Sequence, residues 1–444
     1  MPDLQRSDLG AKRRSWWWVS VAYFAEGLPW SLLHQVAAEF FTAIGARPSQ
    51  VGRTALLHIP ILLKLVLSPI VQGVSTLRNW MLGTQLLMGL VMGGVALLAH
   101  RIATHIRPET ADSLWLWVLL FSIGVLSAIY DIACDGFYLE NLSEEEQARY
   151  SGLRVAVYRV AMLLGSFLLV FLGGLVHWLL SFSLASILLI GLSVILSRVL
   201  PKDTPNDVLR GSVSIDGRAN PAAATMDSYF SFLRQESVWL VVLFLLFYKA
   251  ADAMMFSMSS VLLSRHLGIG TEIRASLGIF STVAGIVGAV LGGAWVAKRG
   301  LERAMFPITF LMVITEPLYV VLAVASESLA LGDPGVPISS MVLSSAVPQL
   351  TVVTLILMIE KFCAGLAVSA QTIFIMRRCH PDHKTAHYAF ATVVYSLSQI
   401  ALGSMSGYLF EAVGPTIYYI IVSILALPTL LLVRLVPLSQ RIRD

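Results

Sequence analysis

Charge is what this chain has least of. Lys, Arg, Asp and Glu make up 13% of its 444 residues while 57% are hydrophobic, and a soluble domain carries roughly 25% charge. A chain this apolar belongs to the membrane class before any segment is drawn. Cysteine is scarce as well. Cys134, Cys363 and Cys379 are too few and too scattered for a disulfide framework. Cys379, His380 and His383 read as ordinary loop residues rather than a zinc site, so neither metal nor cofactor is expected. No compact nucleophile motif favours an enzyme, and no basic, aromatic-rich face supports nucleic-acid binding. Lys12, Arg13 and Arg14 precede an apolar stretch as in a signal peptide, yet no small-x-small cleavage site follows. That stretch is read as the first retained helix.

What the chain does have is a series of apolar runs of about 20 residues, the length that crosses a bilayer as helix. They fall near 16–38, 51–74, 80–100, 113–139, 151–173 and 178–199, then 238–263, 274–297, 304–326, 348–376, 385–409 and 414–435. Between the sets lies a polar stretch with Pro205, Asn206, Asp207, Gly211, Gly217 and Asn220. The expected fold is all-α and integral to the membrane, with twelve transmembrane helices in two six-helix bundles, 1–200 and 236–444, joined by a linker at 201–235. Duplicated halves of this kind are a transporter design, with the solute site between them. Most lysine and arginine falls in the N-terminal tail, the linker, the C-terminal tail and the turns on the same side. The positive-inside rule makes that side cytoplasmic and puts both termini there.

The few charges within the apolar runs carry the functional information. Asp131 and Asp135, four apart in AIYDIACDGFYLE, share one helix face. Lys64, Arg159, Lys249 and Lys361, with Glu26, Asp252, Glu316 and Glu360, also lie inside or at the edges of spans. A charge facing lipid costs about 2.5 to 3.5 kcal/mol on insertion scales, so together they would cost on the order of 20 kcal/mol or more unless they meet partners or water. They are expected to line an interior cavity.

Local context suggests roles. Pro60 and Pro69 disturb the helix around Lys64, which makes it a candidate for an anionic solute group or an acidic partner. Arg159 lies mid-span, and its planar fork suits a carboxylate or phosphate; Asp131 and Asp135 are its nearest candidates in sequence, while Arg154 reads as a gate or headgroup contact. Lys249 and Asp252 are three apart on one helix face, with Tyr248 offering a hydroxyl or aromatic surface. Glu26, before Gly27 and Pro29, is a candidate proton carrier, as are Glu316, Glu360, Asp131 and Asp135. Gly89 with Gly93, Gly288 with Gly292, and Gly403 with Gly407 are spaced for close helix approach.

The stretches FAEGLPWSL (24–32), KLVLSP (64–69), DIACDGFYLENLSEEEQ (131–147), YRVAMLLG (158–165), YKAADAM (248–254) and EKFCAGLAVSA (360–370) resemble the major facilitator superfamily, and within it the AmpG muropeptide permease group, related to the peptide and acetyl-coenzyme A transporters. The resemblance implies a proton-driven importer of GlcNAc-anhydroMurNAc peptides in the bacterial inner membrane. It would act as a monomer among lipid, with solute and protons as partners. It implies site roles for Lys64, Asp131, Asp135, Arg159, Lys249 and Asp252. Gln72 and Gly73 stand where the group has an acid and an arginine, and Glu26 where a small polar residue is usual. The alternatives are a carrier or exporter of another bulky anionic solute, such as a siderophore or acyl-nucleotide, and more remotely a membrane enzyme or receptor.

Overall fold

The computed structural model describes residues 2–105, 111–202, 231–330, 338–380 and 384–438. Those residues are helical with short turns, as a bilayer requires of a chain whose backbone groups must be satisfied internally. Most of the 201–235 linker and His383 lie outside them.

In chain order the helices are α1 (Pro2–Ser31), α2 (Ala37–Ala43), α3 (Pro48–Arg53), α4 (Ile59–Leu62), α5 (Lys64–Val74), α6 (Leu77–His105), α7 (Ala111–Asn141), α8 (Glu144–Leu175) and α9 (Trp178–Val199). There follow α10 (Val238–Val261), α11 (Thr271–Arg299), α12 (Leu301–Thr315), α13 (Leu318–Ala330), α14 (Ile338–Arg378) and α15 (Lys384–Leu435). Among the described residues nine helical stretches are long and apolar enough to cross a membrane. The last of these turns sharply at Gly414, with φ of 76°, and so supplies two crossings. The broken stretches around α1–α2 and α3–α5 account for the other two of the twelve expected.

The breaks follow from the sequence. Pro60 starts α4 after a 3₁₀ turn over Thr54–His58, and the helix breaks again at Leu63, so Lys64 opens α5. Near Glu26 the outcome differs from expectation. α1 stays helical through Gly27 and Pro29 and yields only at a π-helical turn over Leu32–Val36. Gly27 serves close packing: a Cβ there would collide with the carbonyl of Tyr158 and lie 2.9 Å from the Ala161 Cβ on α8. Glu316 and Pro317 separate α12 from α13.

The chain forms two compact units. The first comprises 1–40 and 57–218, the second 41–56 and 219–444. In the first, α1 packs on α8, and α6 on both α7 and α9. In the second, α10 packs on α15, and α11 and α12 on α14. The short segment 41–56 thus departs from the division at the linker. α3 lies on α15, where the Ser49 backbone N–H and hydroxyl each donate to Glu411 Oε1 at 2.8 Å. Arg53 Nε donates to the Tyr408 hydroxyl at 2.6 Å, and Gly52 meets Gly407 backbone to backbone. Gly288 and Gly292 on α11 likewise admit the backbone of Phe362 and Leu366 on α14. Leu86, Leu90 and Leu97 on α6 and Val283, Val287 and Val290 on α11 are exposed; in water such surfaces would drive association, while in a bilayer they meet lipid.

Candidate functional site

Each unit brings together a cluster of charged side chains from within its apolar spans. In the first, Lys64 from α5 donates to Asp131 Oδ2 on α7. One turn on, Asp135 Oδ1 accepts from the Tyr23 hydroxyl at 2.7 Å and from Arg154 on α8 at 3.2 Å. Arg154 also donates to the Tyr23 oxygen at 3.0 Å. Its guanidinium lies 5.1 Å from the ring centre of Tyr23 and 5.2 Å from that of Tyr138, a cation–π arrangement that fixes its plane. Glu26, from the same face of α1 as Tyr23, lies against Asp131 with its Oε2 buried and without a hydrogen-bond partner.

In the second unit Lys249 donates to Asp252 Oδ2 within α10. Lys361 from α14 reaches the other oxygen of Asp252 at 3.6 Å and Glu360 Oε2 at 3.2 Å. Its ammonium also stands 5.8 Å from the Phe256 ring centre. Glu316, at the break between α12 and α13, is 2% exposed, and its Oε2 has no hydrogen-bond partner. Tyr248 is buried and donates to the Ala367 carbonyl at 3.1 Å, so within this unit it ties α10 to α14. Met254, Met255 and Met258 are buried packing residues.

The two clusters have the same count of acids and bases, though not the same residues. Glu26, Asp131 and Asp135 face Lys64 and Arg154; Asp252, Glu316 and Glu360 face Lys249 and Lys361. Each therefore holds one carboxyl more than it has cations. A desolvated cluster with an unbalanced charge is costly, and one proton on a carboxyl balances it.

The sequence places ten of its eleven candidate residues in or beside these clusters. Arg159 is the exception. It makes no ion pair among the described residues, and Arg154 rather than Arg159 answers Asp135. Tyr23 was not singled out, although three residues before Glu26 it had to share that face of the helix. The Cys379 thiol donates to the Ile375 carbonyl, and burial pushes it up to about 11. No group of three His, Cys, Asp or Glu among the described residues is placed to hold a metal.

The sequence profile of the Major Facilitator Superfamily matches residues 19–356. Anhydromuropeptide permease of Escherichia coli (strain K12) is 23% identical over 426 residues, covering 92% of this chain and 77% of that protein. A Rickettsia felis protein named as a transporter, AmpG 4, is 21% identical over 408 residues, covering 91% and 92%. The crystal structure of a D-xylose–proton symporter superposes with a TM-score of 0.67 at 12% identity, covering 96% of this chain and 98% of the symporter.

Proposed function

Since the chain belongs to the Major Facilitator Superfamily and is a secondary-active solute transporter, we propose that it imports muropeptides, GlcNAc-anhydroMurNAc peptides, across the bacterial inner membrane in symport with protons. The observation that carries the coupling is the repeated excess of one carboxyl over the cations in each unit. Binding and release of a proton changes each cluster between neutral and anionic, and that difference is what a symporter needs to favour one facing state over another. Glu26 and Glu316 are the proton carriers in this reading, because neither forms an ion pair among the described residues and each has a buried oxygen without a hydrogen-bond partner there.

Arg159 supports the solute assignment. Lys64, Arg154, Lys249 and Lys361 are all paired with carboxylates, whereas Arg159 has no ion pair among the described residues and carries a planar fork suited to a peptide carboxylate. The relationship to anhydromuropeptide permease supports the same substrate class. The basic residues of the tails and linker support cytoplasmic termini.

Uptake of labelled GlcNAc-anhydroMurNAc tripeptide by proteoliposomes, with and without an inward proton gradient, tests both parts. Accumulation only under the gradient is expected, with Arg159→Gln lowering it. No accumulation in either condition overturns the substrate. Equal accumulation in both overturns the coupling.

A further inference from the structure

Two histidines stand apart from the charged clusters. His34 lies in the π-helical turn Leu32–Val36 and His58 closes the 3₁₀ turn Thr54–His58, both in the first unit. His34 Nδ1 and His58 Nε2 are 2.8 Å apart, and His58 is 4% exposed. Trp30 contacts both rings. It stacks on His34 at 5.3 Å with an interplanar angle of 14°, and meets His58 edge-on at 5.0 Å. Both histidines sit where the backbone leaves the α-helix, and π turns of this kind recur at functional sites.

At 2.8 Å the two nitrogens hold a single hydrogen between them. The neutral pair has one N–H donating to a bare nitrogen. One added proton, bound elsewhere on the two rings, gives an imidazolium donating to an imidazole, a charge-assisted hydrogen bond. A second would set N–H against N–H and break the contact. The capacity of the pair is therefore one proton, and the face of Trp30 stacked on His34 favours a positive charge there. The ionisable groups on the surrounding elements are few. From residue 15 on α1 carries Tyr23 and Glu26, and α2 carries Glu39; α5 carries Lys64, which Asp131 neutralises; α7 carries Tyr130 and Asp131 and nothing ionisable from 114 to 129; α8 carries none after Arg159, and α9 only Arg198. Residues 26, 30 and 34 follow one face of the helix, with Glu26 about 12 Å along the axis from His34 and Trp30 between them.

We propose that His34 and His58 form a one-proton site, separate from the carboxyl cluster, that loads a proton for transport, with Trp30 dividing it from Glu26. This rests on the proton-coupled reading above. The test needs no substrate. The intrinsic fluorescence of the full chain in lipid nanodiscs is titrated from about pH 5 to pH 8, the interval in which imidazoles change charge, because a histidine that gains charge against Trp30 quenches it. Subtracting the Trp30→Phe titration isolates Trp30 among the 10 tryptophans. The expected result is a transition present in the wild type and lost in Trp30→Phe, in His34→Asn and in His58→Asn. His34→Gln and His58→Gln replace any asparagine variant that does not elute as a single species. A wild type without a transition, or a transition that survives in both histidine variants, overturns the site. Muropeptide uptake that fails while the transition persists overturns the substrate instead and leaves the proton site standing.

Discussion

The two charged clusters hold the same count of acids and of bases and pair them differently. In the first unit the cations act singly, Lys64 on Asp131 and Arg154 on Asp135, and these side chains are 24% to 47% exposed. In the second, Asp252 is shared by Lys249 and Lys361, Lys361 is shared by Asp252 and Glu360, and the exposures run from 3% to 27%. A pair open to water can part and re-form at small cost, whereas a desolvated network loses several contacts if one member leaves. The pairs of the first cluster are therefore the cheaper to part, and the second cluster is the more strongly held.

The largest effect expected from this contrast is on stability. Asp252→Asn leaves two ammonium groups without their common partner, and breaking a buried pair costs about 3 to 5 kcal/mol; thermal unfolding in detergent should show a far larger fall than for Asp131→Asn. Equal falls would erase the distinction. Next comes exchange of the Lys64 and Asp131 charges. Each single reversal should abolish uptake, and the double reversal should recover about tenfold or more over either single, a coupling of about 1.4 kcal/mol. Without recovery, the pair is not the functional unit of the first cluster. Arg154→Lys retains the charge but loses the planar stacking over Tyr23 and Tyr138, a change of about 1 kcal/mol, read as a modest drop in melting temperature with a raised KM for uptake. Glu316→Gln should change stability least, within about 1 kcal/mol, because it removes no ion pair. A large loss there would mean that Glu316 neutralises Lys361 and that the second cluster has no carboxyl to spare.

Much of this was legible beforehand, because hydropathy reports spans and a charge inside a span reports its own cost. Lys64, Asp131, Lys249, Asp252, Glu360 and Lys361 were found that way. Pairing was less legible, and Arg159 shows why. α7 and α8 are joined by a short turn near residues 142–143, so residues equally far from the turn lie at similar depth. At 1.5 Å per residue Arg159 is about 13 Å deeper than Asp135, whereas Arg154 is offset by only about 6 Å, within reach of its side chain. Mid-span position points to Arg159, but depth relative to the partner decides for Arg154. Contacts across hundreds of residues leave no local trace at all. Glu411 reads as an ordinary acid in the turn between the spans 385–409 and 414–435, and nothing near Ser49 points to a residue 362 positions away.

That strap from 41 to 56 bears on how the protein can be taken apart. A gene cut in the linker would yield an N-terminal fragment carrying a piece that belongs to the other product. The C-terminal fragment would expose the Gly403 and Gly407 surface and leave Glu411 without either donor from Ser49. Because the units alternate along the chain as 1–40, 41–56, 57–218 and 219–444, neither a single cut nor a circular permutation sorts them into separate products, and co-produced fragments must seat this strap on α15 in trans.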